Sequence, residues 1–156
     1  MIKNIIKELK VKDIKITAPI ENTFYNIQDE STPFVYDGVE MYDHNLGYLS
    51  YVFLVKDNEI LAYMNYEEDD EFIEIGLAEN YKFKGFYNFI FKYFLEKRKF
   101  KFIVSDTQIS SSALKAYKKL QNAYKIQIFD YETGEFLPFE PENFKGEDRR
   151  ISVSFN

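Results

Sequence analysis

The chain has no cysteine and no tryptophan, and His44 is its single histidine. Without thiols there is no disulfide, no zinc–thiolate centre and no cysteine nucleophile. A Ser-His-Asp triad would have to pass through His44, which sits in the polar run Tyr42-Asp43-His44-Asn45-Leu46-Gly47 with no nucleophile-elbow pattern around it, so it reads as a loop residue. No apolar run is long enough to span a bilayer, and Met1-Ile2-Lys3-Asn4-Ile5-Ile6-Lys7-Glu8 lacks the apolar core and cleavage site of a secretory signal. The expectation is a cytoplasmic protein that does not enter a membrane. The acidic run Glu67-Glu68-Asp69-Asp70-Glu71 lacks the spacing of a calcium loop and reads as a charged hairpin tip, so no metal is expected.

What is present is a chain of 156 residues, a length that fits one domain with one sizeable core. Its net charge of −6 is unevenly spread. Residues 82–125 hold 11 Lys and Arg against two acids, Glu96 and Asp106, whereas the remaining residues hold nine bases against 24 acids. A basic segment inside an acidic chain points to a local anionic ligand and away from a duplex-binding face, which usually belongs to a basic domain. Lys97, Arg98, Lys99, Lys118 and Lys119 also fit a simpler role, solvating the outer faces of two helices.

Taken in order, Ile2, Ile5, Ile6 and Leu9 have helical spacing, and Ile14-Lys15-Ile16 alternates like a short strand. Residues 21–47 mix Pro33, Gly38, Gly47 and many acids with Phe24, Tyr25, Phe34, Tyr36, Met41 and Tyr42, and read as a long ordered loop with short helical turns, a lid-like segment that would carry substrate specificity. Leu49–Lys56, Asp57-Asn58 and Glu59–Tyr66 read as strand, tight turn and antiparallel strand. Glu71–Ala78 makes the third strand of this meander. A largely buried helix is expected from about Gly85 to Arg98, followed directly by the strand Phe100–Val104. Strand, helix and strand with short links form a crossover, which sets the strands 71–78 and 100–104 parallel. Ser110-Ser111-Ser112 supplies N-cap candidates for a helix whose inward stripe is Ala113, Ala116, Tyr117 and Leu120. The chain closes with Lys125–Tyr131, a turn at Glu132-Thr133-Gly134-Glu135, a loop holding Pro138 and Pro141, and a strand from Arg149 to Phe155.

The chain is organised around Lys82-Phe83-Lys84-Gly85-Phe86-Tyr87, where a strand gives way to a helix. The first N–H groups of a helix have no internal partners, and its dipole adds partial positive charge, so the place suits a phosphate or another anion. Lys82 and Lys84 strengthen that field, and Gly85 lets backbone come close to a ligand. An ordinary solvated strand-to-helix turn has the same ingredients.

A three-strand meander, a buried helix, a parallel strand, a second helix and two closing strands form an uncommon order of elements. In it the chain resembles the GNAT superfamily of acyl-CoA N-acyltransferases over residues 49–155. The family's acyl-CoA loop reads Gln/Arg-x-x-Gly-x-Gly/Ala, and residues 82–87 lie in the equivalent place, with Tyr87 standing where the loop carries a small residue. A later pattern, Asn-x-x-Ala-x-x-x-Tyr, is approached by Ser110 to Tyr117. The lead-in Ser105-Asp106-Thr107-Gln108 also looks like a branch of the family carried by bacteriophages.

The resemblance implies a mixed α/β sheet in which an antiparallel meander meets a parallel pair splayed at the centre, with helices on both faces. It implies acetyl-CoA or another acyl-CoA as donor, the coenzyme A pyrophosphate on the backbone of Phe83, Lys84, Gly85, Phe86 and Tyr87 with Lys82 nearby, and Ser110 in the second binding pattern. The pantetheine arm would pair near Leu77 and Ala78, where Gly76 permits close approach. Tyr117 would be the general acid that protonates the departing thiolate, and Glu74 the carboxylate that takes the amine proton through water. Both positions have plain structural readings as well, Tyr117 as a core aromatic and Glu74 as a solvent-facing residue of an alternating strand. Two functions follow. One is an N-acyltransferase acting on an amine of a small molecule, a protein or a modified nucleobase, in a chain that could dimerise. The other is a GNAT-shaped protein without turnover that binds a protein partner such as a host factor.

Overall fold

A computed structural model describes residues 33–45, 49–106, 109–145 and 148–156. The expected helix at 2–9 and short strand at 14–16 lie outside the described residues, as do residues 21–32 and 46–48 of the expected loop. Among the described residues nine strands run β1 Phe34–Tyr36, β2 Val39–Asn45, β3 Ser50–Lys56, β4 Glu59–Glu68, β5 Phe72–Asn80, β6 Phe102–Val104, β7 Lys125–Asp130, β8 Phe136–Pro138 and β9 Arg149–Ser154. Helix α1 spans Phe86–Lys92 and continues as a π-helical turn over Tyr93–Lys97, and α2 spans Ser111–Leu120. A 3-10 turn covers Pro141–Phe144. The sheet is mixed: β5 pairs parallel with β6, whereas β1 with β2, β2 with β3, β3 with β4, β6 with β9, β9 with β7 and β7 with β8 are antiparallel.

The described residues group into two compact units, one comprising those up to Tyr66 with Leu77–Lys84, the other those of Glu67–Gly76 with Gly85–Asn156. In the first, β1 to β4 form an antiparallel meander with Met41 opposite both Phe34 and Leu54, and Leu54 opposite Ala62. Its hairpins close on tight turns in which Asp37 and Gly38, then Asp57 and Asn58, all adopt positive φ, the geometry that matches the right-handed twist of two flanking strands. Val52 to Val55 are all buried, which marks β3 as a strand covered on both sides. On one side, Tyr42, Phe53, Val55, Ile60 and Tyr63 pack together with Tyr51 and Tyr81 against them.

Two stretches differ from their sequence reading. The described part of the expected lid, 33–45, is a β-hairpin, because Val39, Met41 and Tyr42 find buried places against β3 and Asp37-Gly38 supplies the turn. The expected loop holding Pro138 contains β8, paired to β7 through Phe136 and Phe129. Proline is tolerated there because β8 is the last strand in the order, so its missing N–H interrupts no second ladder.

The second unit follows the order β5-β6-β9-β7-β8. The crossover through α1 sets β5 and β6 parallel, with Phe72, Ile73 and Glu74 beside Phe102, Ile103 and Val104. That pairing ends at Glu74, although β5 itself runs on to Asn80. Ile73 and Ile75 are buried while Phe72 and Glu74, on the other face by strand alternation, are half-buried. Helix α1 carries Phe86, Ile90 and Phe91 inward, and its π turn adds Phe94 and Leu95. The widening shows in the bonds from Arg98 N–H to Tyr93 O at 2.9 Å and from Phe100 N–H to Phe94 O at 3.0 Å, and Lys99 at φ 61° turns the chain out toward β6. The acidic tip between β4 and β5 is tied by ion pairs, Glu68 to Arg98 and Glu71 to Lys101.

Candidate functional site

The stretch before α1 is built by Asn80. Its side-chain carbonyl accepts the N–H of Phe83 at 2.8 Å and its amide donates to the carbonyl of Phe83 at 2.7 Å, a two-point clamp that fixes the turn. The N–H groups of Tyr81 and Lys82 both donate to the carbonyl of Leu61, which anchors the strand end from which the turn departs. Lys82 extends an exposed ammonium 3.5 Å from Glu59, and Lys84 is exposed. Sequence reading missed Asn80, since an exposed asparagine at a strand end is common and only the clamp sets it apart.

Of the amides expected to receive a pyrophosphate, that of Phe83 is committed to Asn80. Those of Lys84, Gly85, Phe86 and Tyr87 lie at and just before the first turn of α1. Gly85 caps α1 at φ 81°, ψ 28°, a left-handed conformation that side-chain-bearing residues adopt at a cost, and a Cβ there would meet nothing within 4 Å. Leu77, expected beside the pantetheine arm, is exposed and its N–H donates to the Asn65 side chain at 2.9 Å, while Ala78 is half-buried. If this turn holds the diphosphate that the resemblance implies, Asn80→Ala leaves the fold intact and weakens acetyl-CoA binding roughly three- to tenfold, the worth of about one to two exposed hydrogen bonds; calorimetric titration of the variant checks this.

In the second unit the structure brings Tyr87 and Tyr117 together. Tyr87 does not turn its ring into the loop; it packs against Tyr117 at 5.3 Å, Phe91 at 6.0 Å and Phe86 at 5.3 Å between ring centres. The bulk at position 87 therefore fills the contact of α1 with α2. Tyr117 is buried between Tyr87 and Phe91, and its hydroxyl has no hydrogen-bond partner among the described residues. Burial foremost, then the neighbouring Tyr87 and Asp106, push its phenol far above the ordinary value, so it stays protonated. Tyr87 is raised too, by burial and then by Asp106. Ser110 starts α2 as an N-cap, its hydroxyl accepting the N–H of Ala113 at 3.1 Å and lying 3.2 Å from that of Ser112.

Glu74 occupies a separate cluster of the same unit. One carboxylate oxygen accepts from Arg150 at 2.6 Å and the other from the hydroxyl of Tyr131 at 3.0 Å. The Arg150 guanidinium also lies over the Tyr131 ring, 5.0 Å from its centre. Burial first, then Glu74, raise the Tyr131 phenol well above its usual range, so that it donates to the carboxylate as a neutral hydroxyl. Neither partner of Glu74 could have been read from the sequence, being 57 and 76 residues away. Among the described residues no group of three or more metal-ligating side chains converges, and no helix is long and apolar enough to cross a membrane.

No family model matches the chain, and no curated protein matches it. Acetyltransferases are among the solved structures that align with the chain. The N-acetyltransferase PseH of Campylobacter jejuni aligns with 99% of this chain and 89% of its own at 16% identity and a TM-score of 0.48. A second structure of PseH, in complex with acetyl coenzyme A, aligns with 87% of this chain and 78% of its own at 15% identity and a TM-score of 0.47. A GNAT family acetyltransferase from Elizabethkingia anophelis with acetyl-CoA bound aligns with 78% of this chain and 99% of its own at 16% identity and a TM-score of 0.47. At such identities and TM-scores these likenesses assign neither an activity nor a ligand to this chain.

Proposed function

We propose that the protein transfers an acetyl or other acyl group from acyl-CoA to an amine. The observation that carries this reading is Tyr117: a buried, protonated phenol whose hydroxyl has no partner among the described residues, on the helix that follows the parallel strand. A departing thiolate needs a proton, and a phenol held in its acid form can supply one.

The remaining residues fit an acyl-CoA substrate. Lys82, Lys84 and the amides of Lys84 to Tyr87 would take the diphosphate, in a turn set by Asn80 and opened by the left-handed Gly85. The substrate supplies an activated thioester carbonyl. Its pantetheine amides would exchange with the Asn65 side chain at Leu77 and pair with Ala78. The acceptor arrives as an ammonium and gives one proton to water held by Glu74. The free amine attacks the thioester carbonyl, the carbon–nitrogen bond forms and the carbon–sulfur bond breaks. Tyr117 gives its proton to the leaving sulfur, and the new amide nitrogen sheds its second proton, which restores the phenol. One proton is released overall. The protein positions the reactants and moves protons, and forms no covalent bond to the acyl group.

Release of coenzyme A thiol from acetyl-CoA tests the reading with a panel of primary amines: spermidine, 2-phenylethylamine, a lysine-containing peptide and an aminoglycoside. Amine-dependent thiol release with a matching acetylated product is expected. Acetyl-CoA that stays intact with every amine contradicts it and leaves partner binding as the role of the fold.

A further inference from the structure

We infer that Arg150 and Tyr131 are positioning residues for Glu74: the closing strands hold its carboxylate in the one orientation from which it receives the amine proton through water. This rests on the acyl-transfer reading. A glutamate on a strand has a long side chain free to turn about several bonds, and the Glu74 side chain is 30% exposed, so burial alone does not fix where its oxygens point. Here each oxygen takes one donor, Nη1 of Arg150 on β9 and the hydroxyl of Tyr131 just past β7. Each keeps a further acceptor site for water.

The donors are themselves held. The Arg150 side chain is 14% exposed, its guanidinium lies on the Tyr131 ring, and that ring packs 5.1 Å from Phe129 and 6.1 Å from Phe72. Stability does not explain the cluster well. The Nε–H of Arg150 is buried without a hydrogen-bond partner among the described residues, which costs free energy, and a largely buried ion pair returns little net stabilisation. The backbone ladders between β5 and β6, β6 and β9, and β9 and β7 already join these strands. What the side-chain cluster adds is the direction of one carboxylate.

Thiol-release kinetics of the full chain test this with whichever amine of the panel gives the highest rate, in wild type, Tyr131→Phe, Arg150→Met and Arg150→Lys. Tyr131→Phe is expected to lower kcat about tenfold, the scale of a small misplacement, with KM for acetyl-CoA and for the amine unchanged and the same melting temperature. Arg150→Met is expected to lose at least as much, and Arg150→Lys, which keeps one donor to the carboxylate, to recover most of it. If Arg150→Met does not fold, Tyr131→Phe decides. An active wild type whose kcat is untouched by Tyr131→Phe overturns the positioning role alone. A kcat that falls only in step with melting temperature does the same, since it marks a purely structural contact. A wild type inactive with every amine overturns the acyl-transfer reading and this inference with it.

Discussion

Replacing Gly85 with glutamate is expected to reduce acetyl-CoA affinity by roughly 100-fold or more while leaving the protein folded, as read by titration calorimetry alongside thermal unfolding. Two effects add. The backbone at φ 81° is one that a side chain makes strained, and the new carboxylate would stand beside the diphosphate, where like charges cost several kcal/mol, about 3 of which already correspond to two factors of ten. Since a Cβ at Gly85 meets nothing within 4 Å, the substitution displaces no core atom, and unfolding would not be the cause of lost binding. Gly85→Ala separates the two effects, because it carries the strain without the charge and should weaken binding by a smaller factor. Equal affinity in wild type and Gly85→Glu would remove the turn before α1 from the ligand site.

Tyr117→Phe is expected to lower kcat by about 100-fold, at the lower end of what general acid catalysis contributes, with KM for acetyl-CoA unchanged. The phenylalanine keeps the ring that packs against Tyr87 and Phe91 and deletes only a hydroxyl that has no protein partner among the described residues, so the fold should tolerate it or gain slightly. The pH dependence follows from the direction of the shift. Burial disfavours the phenolate, so the acid form persists to higher pH than in a free tyrosine, and Tyr117 contributes no descending limb to the kcat profile below pH 10. The ionisation that would remove the acid therefore lies outside the working range. Steady-state rates of wild type and variant between pH 6 and about 9.5 check both statements. A variant that retains full kcat makes Tyr117 a core aromatic.

The sequence carried the meander well because two local signals agree there. Alternation sets Ile73 and Ile75 apart from Phe72 and Glu74, and Asp57-Asn58 is a turn that tolerates two left-handed residues in a row. The helix over 86–97 was legible from its nearly all-round apolar surface, but not the π turn at its end, which depends on where Phe94 and Leu95 must reach. The hairpin at 34–45 was hidden by acids and by Pro33, although Asp37-Gly38 marks its turn. At the candidate site, the strand, turn and helix and the place of Tyr117 could be read from spacing. The clamp of Asn80 on Phe83 and the partners of Glu74 could not. The first depends on a side-chain orientation at an ordinary surface residue, and the second on which strands of the closing hairpin come to lie beside β6.

Tyr87 illustrates the limit in the other direction. By size alone its ring threatens the space a diphosphate needs, yet its place in the first turn of α1 directs it toward Phe91 and Tyr117. Two phenolates so close would repel, which adds to burial in holding the Tyr117 phenol in its acid form. One substitution in the loop pattern thus feeds into the environment of the proposed acid.

Titration of the wild-type protein with acetyl-CoA and with free coenzyme A in a calorimeter tests the central claim most directly. The account predicts saturable binding of both at micromolar ligand, in the range that a handful of charge-assisted hydrogen bonds supports. No heat of binding at millimolar concentration of either would contradict it.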